Sequence, residues 1–269
     1  MVALLLPRLA GLTTASRRSL SVTGRNFAAL KSAYWLVMVS GFLEPVLYLF
    51  SIGVGVGGLI GDLTLTGGQV VSYAAFVAPA MLAASAMNGA LSETTFNFFG
   101  KMKFMKLYDG VIATPVRPFE IAFGELIWAM IRGSAYSAAF LGLMVLMDLT
   151  SAGRALVAFP AAVLAGFAFG SLGMAFATYL RSWQDFDLIS SVQFALFLFS
   201  GTFVPLSAYP AALGALIELT PLYRTVHLIR GITLGTADWT LLLDVVYLLA
   251  AVVIGLAAAG RRVDRLLCK

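Results

Sequence analysis

Residues 94–117 read TTFNFFGKMKFMKLYDGVIATPVR and form the most cationic interruption between two long apolar runs of this chain. The upstream run, residues 63–92, carries no charged residue, and the downstream run, residues 119–147, carries only three. Pro115 and Pro118 prevent a helix from continuing through the end of the segment. We therefore predict that residues 94–117 lie between two membrane-spanning helices.

Two interpretations of this segment stay open. As a short helix it would turn one stripe towards lipid headgroups and another towards a protein partner, and it would transmit force from that partner into the membrane. Alternatively, Lys101, Lys103 and Lys106 are only the positive charges that keep a loop in the cytoplasm.

The composition predicts the fold class. Of the 269 residues, 60% are hydrophobic and 12% are charged, and the mean hydropathy is +0.93. Uncharged runs such as 155–180, 188–217 and 245–260 are near or above the ~20 residues that cross a bilayer as a helix. We predict an all-α, polytopic membrane protein with a single transmembrane domain over residues 1–269. The pattern does not support a β-barrel.

We expect six transmembrane helices, and two of them carry notable charges. The first, about residues 32–57, contains Glu44 near its middle, and the third, which starts near Phe119, places Arg132 close to the bilayer centre. A lone charge at that depth costs about 2.5–3.5 kcal/mol, so we predict that Glu44 pairs with Arg132. The alternatives are that Glu44 is protonated or that it lies in a wet cavity. In the fourth, residues 155–180, Gly166 and Gly170 are predicted to allow close helix approach.

The N-terminal part is basic. Residues 14–31 fit an amphipathic helix in the headgroup plane, with Leu20 and Phe27 on its apolar face. Its cations, which lie off that face, are Arg17, Arg18, Arg25 and Lys31. The alternative is a positive leader without defined structure. We expect no cleaved signal peptide, because the opening MVALLLPRLAGL has no basic n-region.

Residues 205–230 are apolar but too interrupted to cross a membrane. Gly201 and Pro205 break the fifth helix, a turn at Pro210 precedes a short helix, and the chain restarts after Pro221. We predict two short re-entrant helices in the outer leaflet before the last span.

The distribution of cations predicts the orientation. With both termini in the cytoplasm, 14 Lys and Arg residues lie on the inner side and only Arg154, Arg224 and Arg230 on the outer side. Positive charges accumulate in cytoplasmic loops, so this orientation is strongly favoured. The net charge of +5 therefore reports topology and does not indicate nucleic-acid binding.

Several chemistries have no support in the sequence. There is no P-loop pattern, His227 is the only histidine and Cys268 the only cysteine, so we expect no nucleotide site, metal site or cofactor in this chain. A dyad of His227 with Ser171 or Ser200 has no supporting spacing, and we do not expect an enzyme. Glu44 and Glu125 give only thin support for a proton-coupled carrier.

Two stretches carry a family resemblance. KLYDGVIATPVRPFEIAFGELIWAMIRG, residues 106–133, resembles the segment that joins the second and third helices of type-2 ABC export permeases. FLFSGTFVPLSAYPAALGALIELTPLYRTVHLIRG, residues 197–231, is similar to the re-entrant region of the same family, in particular its nodulation-factor, daunorubicin-type and polysaccharide exporters.

The resemblance implies a permease subunit of the bacterial inner membrane that acts as a homodimer or heterodimer and docks two ABC ATPase subunits, which bind ATP and Mg²⁺. It implies outward transport of an amphipathic drug, lipid, glycolipid or polysaccharide. An ATP-independent channel or secondary carrier is the alternative. The one departure from the family pattern is Phe98-Phe99-Gly100, where a more polar lead is expected.

The resemblance also implies roles for particular residues. The interfacial helix would be Arg17–Lys31. Independently of the resemblance, the positions of Glu44, Glu125 and Arg132 in apolar runs predict that they are intramembrane charges. The ATPase contact would comprise Lys103, Lys106, Leu107, Asp109, Thr114, Pro115 and Arg117. The re-entrant region would comprise Gly201, Pro205, Pro210, Pro221 and Arg230.

Overall fold

The structure, a computed structural model, describes residues 18–28, 43, 46–64, 68–236 and 238–267. Its helices in chain order are α1 (18–28), α2 (46–60), α3 (Tyr73–Leu91), α4 (Leu107–Ile112), α5 (Pro118–Leu146), α6 (Ala152–Ala177), α7 (Asp185–Leu198), α8 (Ala211–Glu218), α9 (Pro221–Leu234) and α10 (Thr240–Leu267). Two three-residue strands, β1 (Asp62–Thr64) and β2 (Val70–Ser72), form an antiparallel hairpin in which Leu63 pairs with Val71.

Four helical stretches of the described chain are long and apolar enough to cross a membrane. They are Tyr73–Phe104, Pro118–Leu146, Ala152–Ala177 and Thr240–Leu266. These correspond to the second, third, fourth and sixth predicted spans, so the protein is an all-α, multi-pass membrane protein. Half of the predicted first span, including Glu44, falls outside the described residues, and α2 covers most of the other half.

The predicted fifth span corresponds to α7, which has 14 residues. A helix of that length rises about 21 Å, which is less than the roughly 30 Å of the hydrocarbon core. The helix ends before Gly201, whose φ of 68° lies in the left-handed region. The chain therefore changes direction where the sequence predicts a break.

The second span is longer than predicted. The helix that begins as α3 continues to Phe104 through two π-helical segments, Ser92–Asn97 and Gly100–Phe104. Within the first, the Thr94 and Thr95 hydroxyls donate to the carbonyls of Ala90 and Leu91, at 2.8 and 2.6 Å. Such bonds to the preceding turn loosen the regular helical pattern without ending the helix.

The segment 94–117 therefore divides into two parts. Its first half extends the second span, because it contains no proline and its apolar side chains Phe98, Phe99 and Met102 are buried. The helix stops at Lys106, which has a φ of 46°, and only α4 beyond it forms a separate element. Arg117 and Pro118 then start α5, where the Glu120 carboxylate accepts from the Arg117 N–H at 2.8 Å.

Helix α6 lies at the centre of the bundle and packs against α3, α5, α9 and α10. Close approach to α5 depends on Gly170, where a Cβ atom would lie only 2.7 Å from Leu126 Cδ1. This contact confirms the predicted close packing at that position, and small residues are the usual means of such packing in membranes.

The two ends of the bundle are formed by different elements. One end, here called the basic end, gathers α1, α4, the start of α5 and the end of α10. The opposite end carries the β-hairpin, α8 and α9, and there Thr150 donates to the Thr233 carbonyl at 2.9 Å. Helices α8 and α9 begin at Ala211 and Pro221, as the sequence predicts.

Candidate functional site

At the basic end, a buried carboxylate joins three separate elements. Glu125 of α5 accepts from Arg25 Nη2 at 2.8 Å, from Lys101 Nζ at 2.6 Å and from Asn26 Nδ2 at 2.9 Å. Glu125 is only 5% exposed, whereas Arg25 and Lys101 are 31% and 20% exposed. We call these four residues the Glu125 cluster.

The Glu125 cluster forms because α1 lies directly on α5. A Cβ atom at Gly124 would come within 2.6 Å of the Ser19 carbonyl oxygen, so only glycine allows this approach. The Thr23 hydroxyl donates to the Gly124 carbonyl at 3.0 Å and fixes the register of the two helices. The side chains of Arg25 and Asn26 are thereby brought to the neighbouring Glu125.

Helix α4 closes the cluster from the other side through Tyr108, which is fully buried. Burial, reinforced by the negative charge of Glu125, raises the pKa of the Tyr108 hydroxyl well above its usual value. Tyr108 is therefore neutral at physiological pH. One carboxylate and two cations give the cluster a net positive charge.

The surface beyond the cluster is exposed and carries most of the predicted contact residues. Lys103, Lys106, Asp109, Thr114, Pro115 and Arg117 are exposed, and Leu107 is half-buried. We call this set the basic surface, since three of its members are cations and one is an anion. The structure brings the set together around α4, and its role in binding stays a prediction.

The predicted interfacial helix is described in part. Residues 18–28 are helical, with Leu20 and Phe27 exposed at 54% and 61% and with the ring of Phe27 against Trp128 at 6.2 Å. Arg18 is half-buried. Arg17 and Lys31 lie outside the described residues.

A second candidate site is a cavity of about 670 Å³ between α2, α3, α5 and α7. Its lining includes Tyr48, Ser85, Asn88, Ser92, Glu93, Arg132, Tyr136, Ser190, Gln193, Phe194 and Phe197. The cavity wall therefore combines aromatic rings and neutral hydrogen-bonding groups with one ion pair. A cavity of this kind suits a ligand with both polar and apolar parts.

The ion pair in the cavity joins Glu93 to Arg132, which are 8% and 17% exposed. Arg132 Nη2 also donates to the Tyr136 hydroxyl at 3.4 Å. Nearby, Gln193 Nε2 donates to Asn88 Oδ1 at 2.8 Å and joins α7 to α3. The predicted pairing of Arg132 with Glu44 stays a prediction, because Glu44 lies outside the described residues.

At the opposite end, Arg230 fastens three elements. Its Nε and Nη2 atoms donate to the carbonyls of Phe76 and Gly201 at 3.1 and 2.9 Å, and its guanidinium lies 3.9 Å from the Phe76 ring centre. The three prolines of this region stand at the starts of elements: Pro205 before a 3₁₀ turn, Pro210 before α8 and Pro221 at the first position of α9.

Sequence reasoning missed the partner of His227. Asp244 of α10 is fully buried, and it contacts His227 Nδ1 at 2.6 Å and Arg224 Nη1 at 3.2 Å. We call these three residues the Asp244 cluster. The available signal was a carboxylate near the start of a helix whose next 16 residues, 245–260, carry no charge, and such a carboxylate requires a partner.

A family model and several curated proteins match most of this chain. A family model described as ABC-2 type transporter matches residues 19–234. Nodulation protein J of Rhizobium leguminosarum bv. trifolii is 32% identical over 217 residues, which cover 80% of this chain and 81% of that protein. Nodulation protein J of Rhizobium leguminosarum bv. viciae is 29% identical over 251 residues, which cover 91% and 95%. Its counterpart from Sinorhizobium fredii is 32% identical over 214 residues, which cover 78% and 79%.

Proposed function

This chain belongs to the ABC-2 type transporter family and is a membrane permease, and we propose that it is the transmembrane subunit of an exporter driven by a separate ABC ATPase. The ATPase would bind ATP and Mg²⁺, and its conformational changes would move the permease. The membrane would be the bacterial inner membrane, with the basic end in the cytoplasm.

The observation that supports this proposal is the connection between the basic surface and the Glu125 cluster. Lys101 lies in the same helical extension that ends at the basic surface, and it binds the carboxylate that also holds α1 and α5. A force applied to α4 therefore reaches two further helices through buried, charge-assisted hydrogen bonds. A loop that only sets topology does not require such a network.

The charge of the basic surface indicates the kind of partner. Lys103, Lys106 and Arg117 are exposed, and Asp109 is the only exposed anion of that set. A partner groove with acidic residues would be complementary and would be steered into place by long-range attraction. We infer that this groove belongs to the ATPase subunit.

We assign the transported molecule to the cavity between α2, α3, α5 and α7. Its polar part would contact Asn88, Gln193 and the Glu93–Arg132 pair, and its apolar part would contact Phe194 and Phe197. These contacts fit an amphipathic drug, lipid or glycolipid.

A second permease subunit would complete the transporter. Within the described part of the chain, none of the α7 side chains is buried, and Leu188, Val192 and Phe194 are more than half exposed. A short helix that also carries Gln193 and Ser190 is poorly suited to lipid on all sides. We propose that α7 faces the second subunit and that the substrate leaves between the two.

Co-purification tests the proposal. The tagged permease is expressed with the ABC ATPase of the neighbouring reading frame, and the ATPase retained per permease is quantified at several salt concentrations. We expect retention by the parent chain and a loss of about tenfold for the double variant Lys103→Glu/Lys106→Glu, since two charge pairs become repulsive.

The matched control is Arg154→Glu, which reverses an exposed cation at the opposite end. It should retain the ATPase fully. A parent chain that retains no ATPase, yet transports in vesicles without ATP, would favour a channel or secondary carrier instead.

A further inference from the structure

Five aromatic rings join the basic end of the second span to the start of α7. Phe96, Phe99 and Phe104 come from the helical extension of α3, Trp183 comes from the turn that leads into α7, and Phe186 comes from the first turn of α7. The Phe104 and Trp183 rings are stacked, with centres 5.0 Å apart and planes 20° apart. Trp183 also contacts Phe96 at 4.7 Å, Phe99 at 5.4 Å and Phe186 at 5.5 Å. We call these residues the aromatic cluster.

The turn that carries Trp183 is fixed to α7. The Asp185 carboxylate accepts from the backbone N–H groups of Arg181 and Ser182 at 2.6 and 3.1 Å. These bonds lower the pKa of Asp185, so the carboxylate is charged at physiological pH and the turn is closed. Trp183 and the first turn of α7 therefore move together.

On the other side, the cluster is fixed to the basic surface. Phe104 is the last residue of the helical extension, and it precedes Lys106 by two residues and the start of α4 by three. Phe99 is fully buried, whereas Phe104 and Trp183 are 58% and 40% exposed. The outer pair can thus be displaced by a partner while Phe99 keeps the cluster anchored.

Within the described part of the chain, few side-chain contacts hold the remainder of α7. Besides the aromatic cluster, its described contacts to other parts of the bundle include the Gln193–Asn88 hydrogen bond and the packing of Phe197 against Phe203 and Tyr48. Ser190, Gln193 and Phe194 of α7 line the cavity. A small displacement of the first turn of α7 therefore changes one wall of the cavity.

We propose that Trp183 is a positioning residue that passes motion from the basic surface to α7 and so opens or closes the cavity. The Glu125 cluster reaches α1 and α5 but contains no residue of α7, so the aromatic cluster provides a second and separate route. This inference rests on the proposed function, because it needs an ATPase that moves α4.

Site-specific labelling tests the proposal. In a Cys268→Ser background, Ser190→Cys places one thiol on the cavity wall, and the permease is reconstituted with its ATPase in lipid nanodiscs. The rate of reaction with a maleimide is measured without nucleotide and with ATP and vanadate. We expect a change of at least fivefold between the two states, and Ser191→Cys on an adjacent face of α7 should change less than twofold.

Trp183→Ala should abolish the nucleotide-dependent change at position 190 while ATPase retention and ATP hydrolysis continue. Trp183→Phe should restore it, because a second ring can stack on Phe104. Trp239→Ala, an exposed tryptophan at the opposite end, is the matched control and should behave like the parent.

The outcomes separate this inference from the proposed function. If the parent retains no ATPase, both proposals fail. If the parent retains the ATPase but the labelling rate at position 190 does not change with nucleotide, the inference alone is overturned. If the parent responds and Trp183→Ala responds equally, the cluster is only an anchor in the membrane interface and the inference alone is overturned. Loss of the response in both Trp183→Ala and Trp183→Phe would also contradict the inference. Ring stacking between residue 183 and Phe104 would then not explain the response.

Discussion

The two ends of this permease each bury one carboxylate between cations, and they do so differently. Glu125 at the basic end is held by Arg25 and Lys101, which come from two other elements, about 100 and 24 residues away. Asp244 at the opposite end is held by Arg224 and His227, which lie one turn apart on α9. One carboxylate therefore joins three parts of the chain, and the other joins two.

The partners differ in charge as well as in origin. Arg25 and Lys101 are permanently charged at physiological pH, whereas His227 contributes a charge only when protonated. His227 is also the most accessible of these partners, at 39% exposed, whereas Arg224 at 25% lies between Lys101 at 20% and Arg25 at 31%. This difference agrees with our proposal that the basic end transmits force, whereas the Asp244 cluster joins two neighbouring helices.

The largest effect should come from Glu125→Gln. It leaves the cations of Arg25 and Lys101 without their partner in a region from which water is mostly excluded, and breaking such a pair costs about 3–5 kcal/mol. Thermal unfolding of the purified permease should show this loss. The control Glu218→Gln, an exposed carboxylate, should unfold like the parent.

A second variant keeps that prediction falsifiable. Lys101→Met in the Glu125→Gln background removes one unpaired cation and should recover part of the lost stability. If the double variant is as unstable as Glu125→Gln alone, Lys101 is not a partner of the carboxylate.

Asp244→Asn should cost less, about 2 kcal/mol, because it leaves one cation, Arg224, without its partner instead of two, and the more exposed His227 can turn towards water. The same unfolding measurement applies. ATPase retention should not change, since the Asp244 cluster lies at the end away from the basic surface. A retention loss as large as that of Lys103→Glu/Lys106→Glu would remove the distinction between the two ends.

Gly124→Ala tests the contact between α1 and α5, which brings Arg25 to Glu125. The new Cβ would meet the Ser19 carbonyl and Val22, so α1 must shift outward. We expect the free energy of unfolding to fall by about 1 kcal/mol, which is at the low end for overpacking, because α1 lies at the edge of the bundle. Protease protection of residues 18–28 should fall, whereas Gly110→Ala on α4, where the added atom meets open space, should leave it unchanged.

His227→Gln should have the smallest effect, about 0.5 kcal/mol, since exposed pairs contribute little and Arg224 still binds Asp244. Unfolding curves at pH 6 and pH 8 measure it. An effect as large as that of Asp244→Asn would show that His227, and not Arg224, is the main partner.

The sequence predicts the long helices well because length and hydropathy alone determine which segments can cross a bilayer. The break at Gly201 and the starts at Pro210 and Pro221 are equally local, since the backbone of those residues cannot continue a helix. The helix of the second span ends at Phe104, about three turns after the predicted end of the apolar run at residue 92. Nothing in the local sequence stops the helix before Lys106.

The side-chain partners could not be predicted in the same way. Glu125 and Arg132 stand out as charges in apolar helices, but their contacts depend on which faces meet when α1, α3 and α5 pack. Glu93 was overlooked because it directly follows an apolar run and looked like the end of a span. The polar sequence of residues 181–187 does not indicate a partner for Trp183, and its stack on Phe104 exists only because the helix of the second span extends so far.

That extension has a consequence for the lipid environment. The helix Tyr73–Phe104 has 32 residues and rises about 48 Å, so it exceeds the roughly 30 Å hydrocarbon core by several turns. The height of the basic surface above the headgroups therefore depends on bilayer thickness and helix tilt. Acyl-chain length should set how far the permease reaches into the cytoplasm, and membranes of different thickness should tune its engagement with the ATPase.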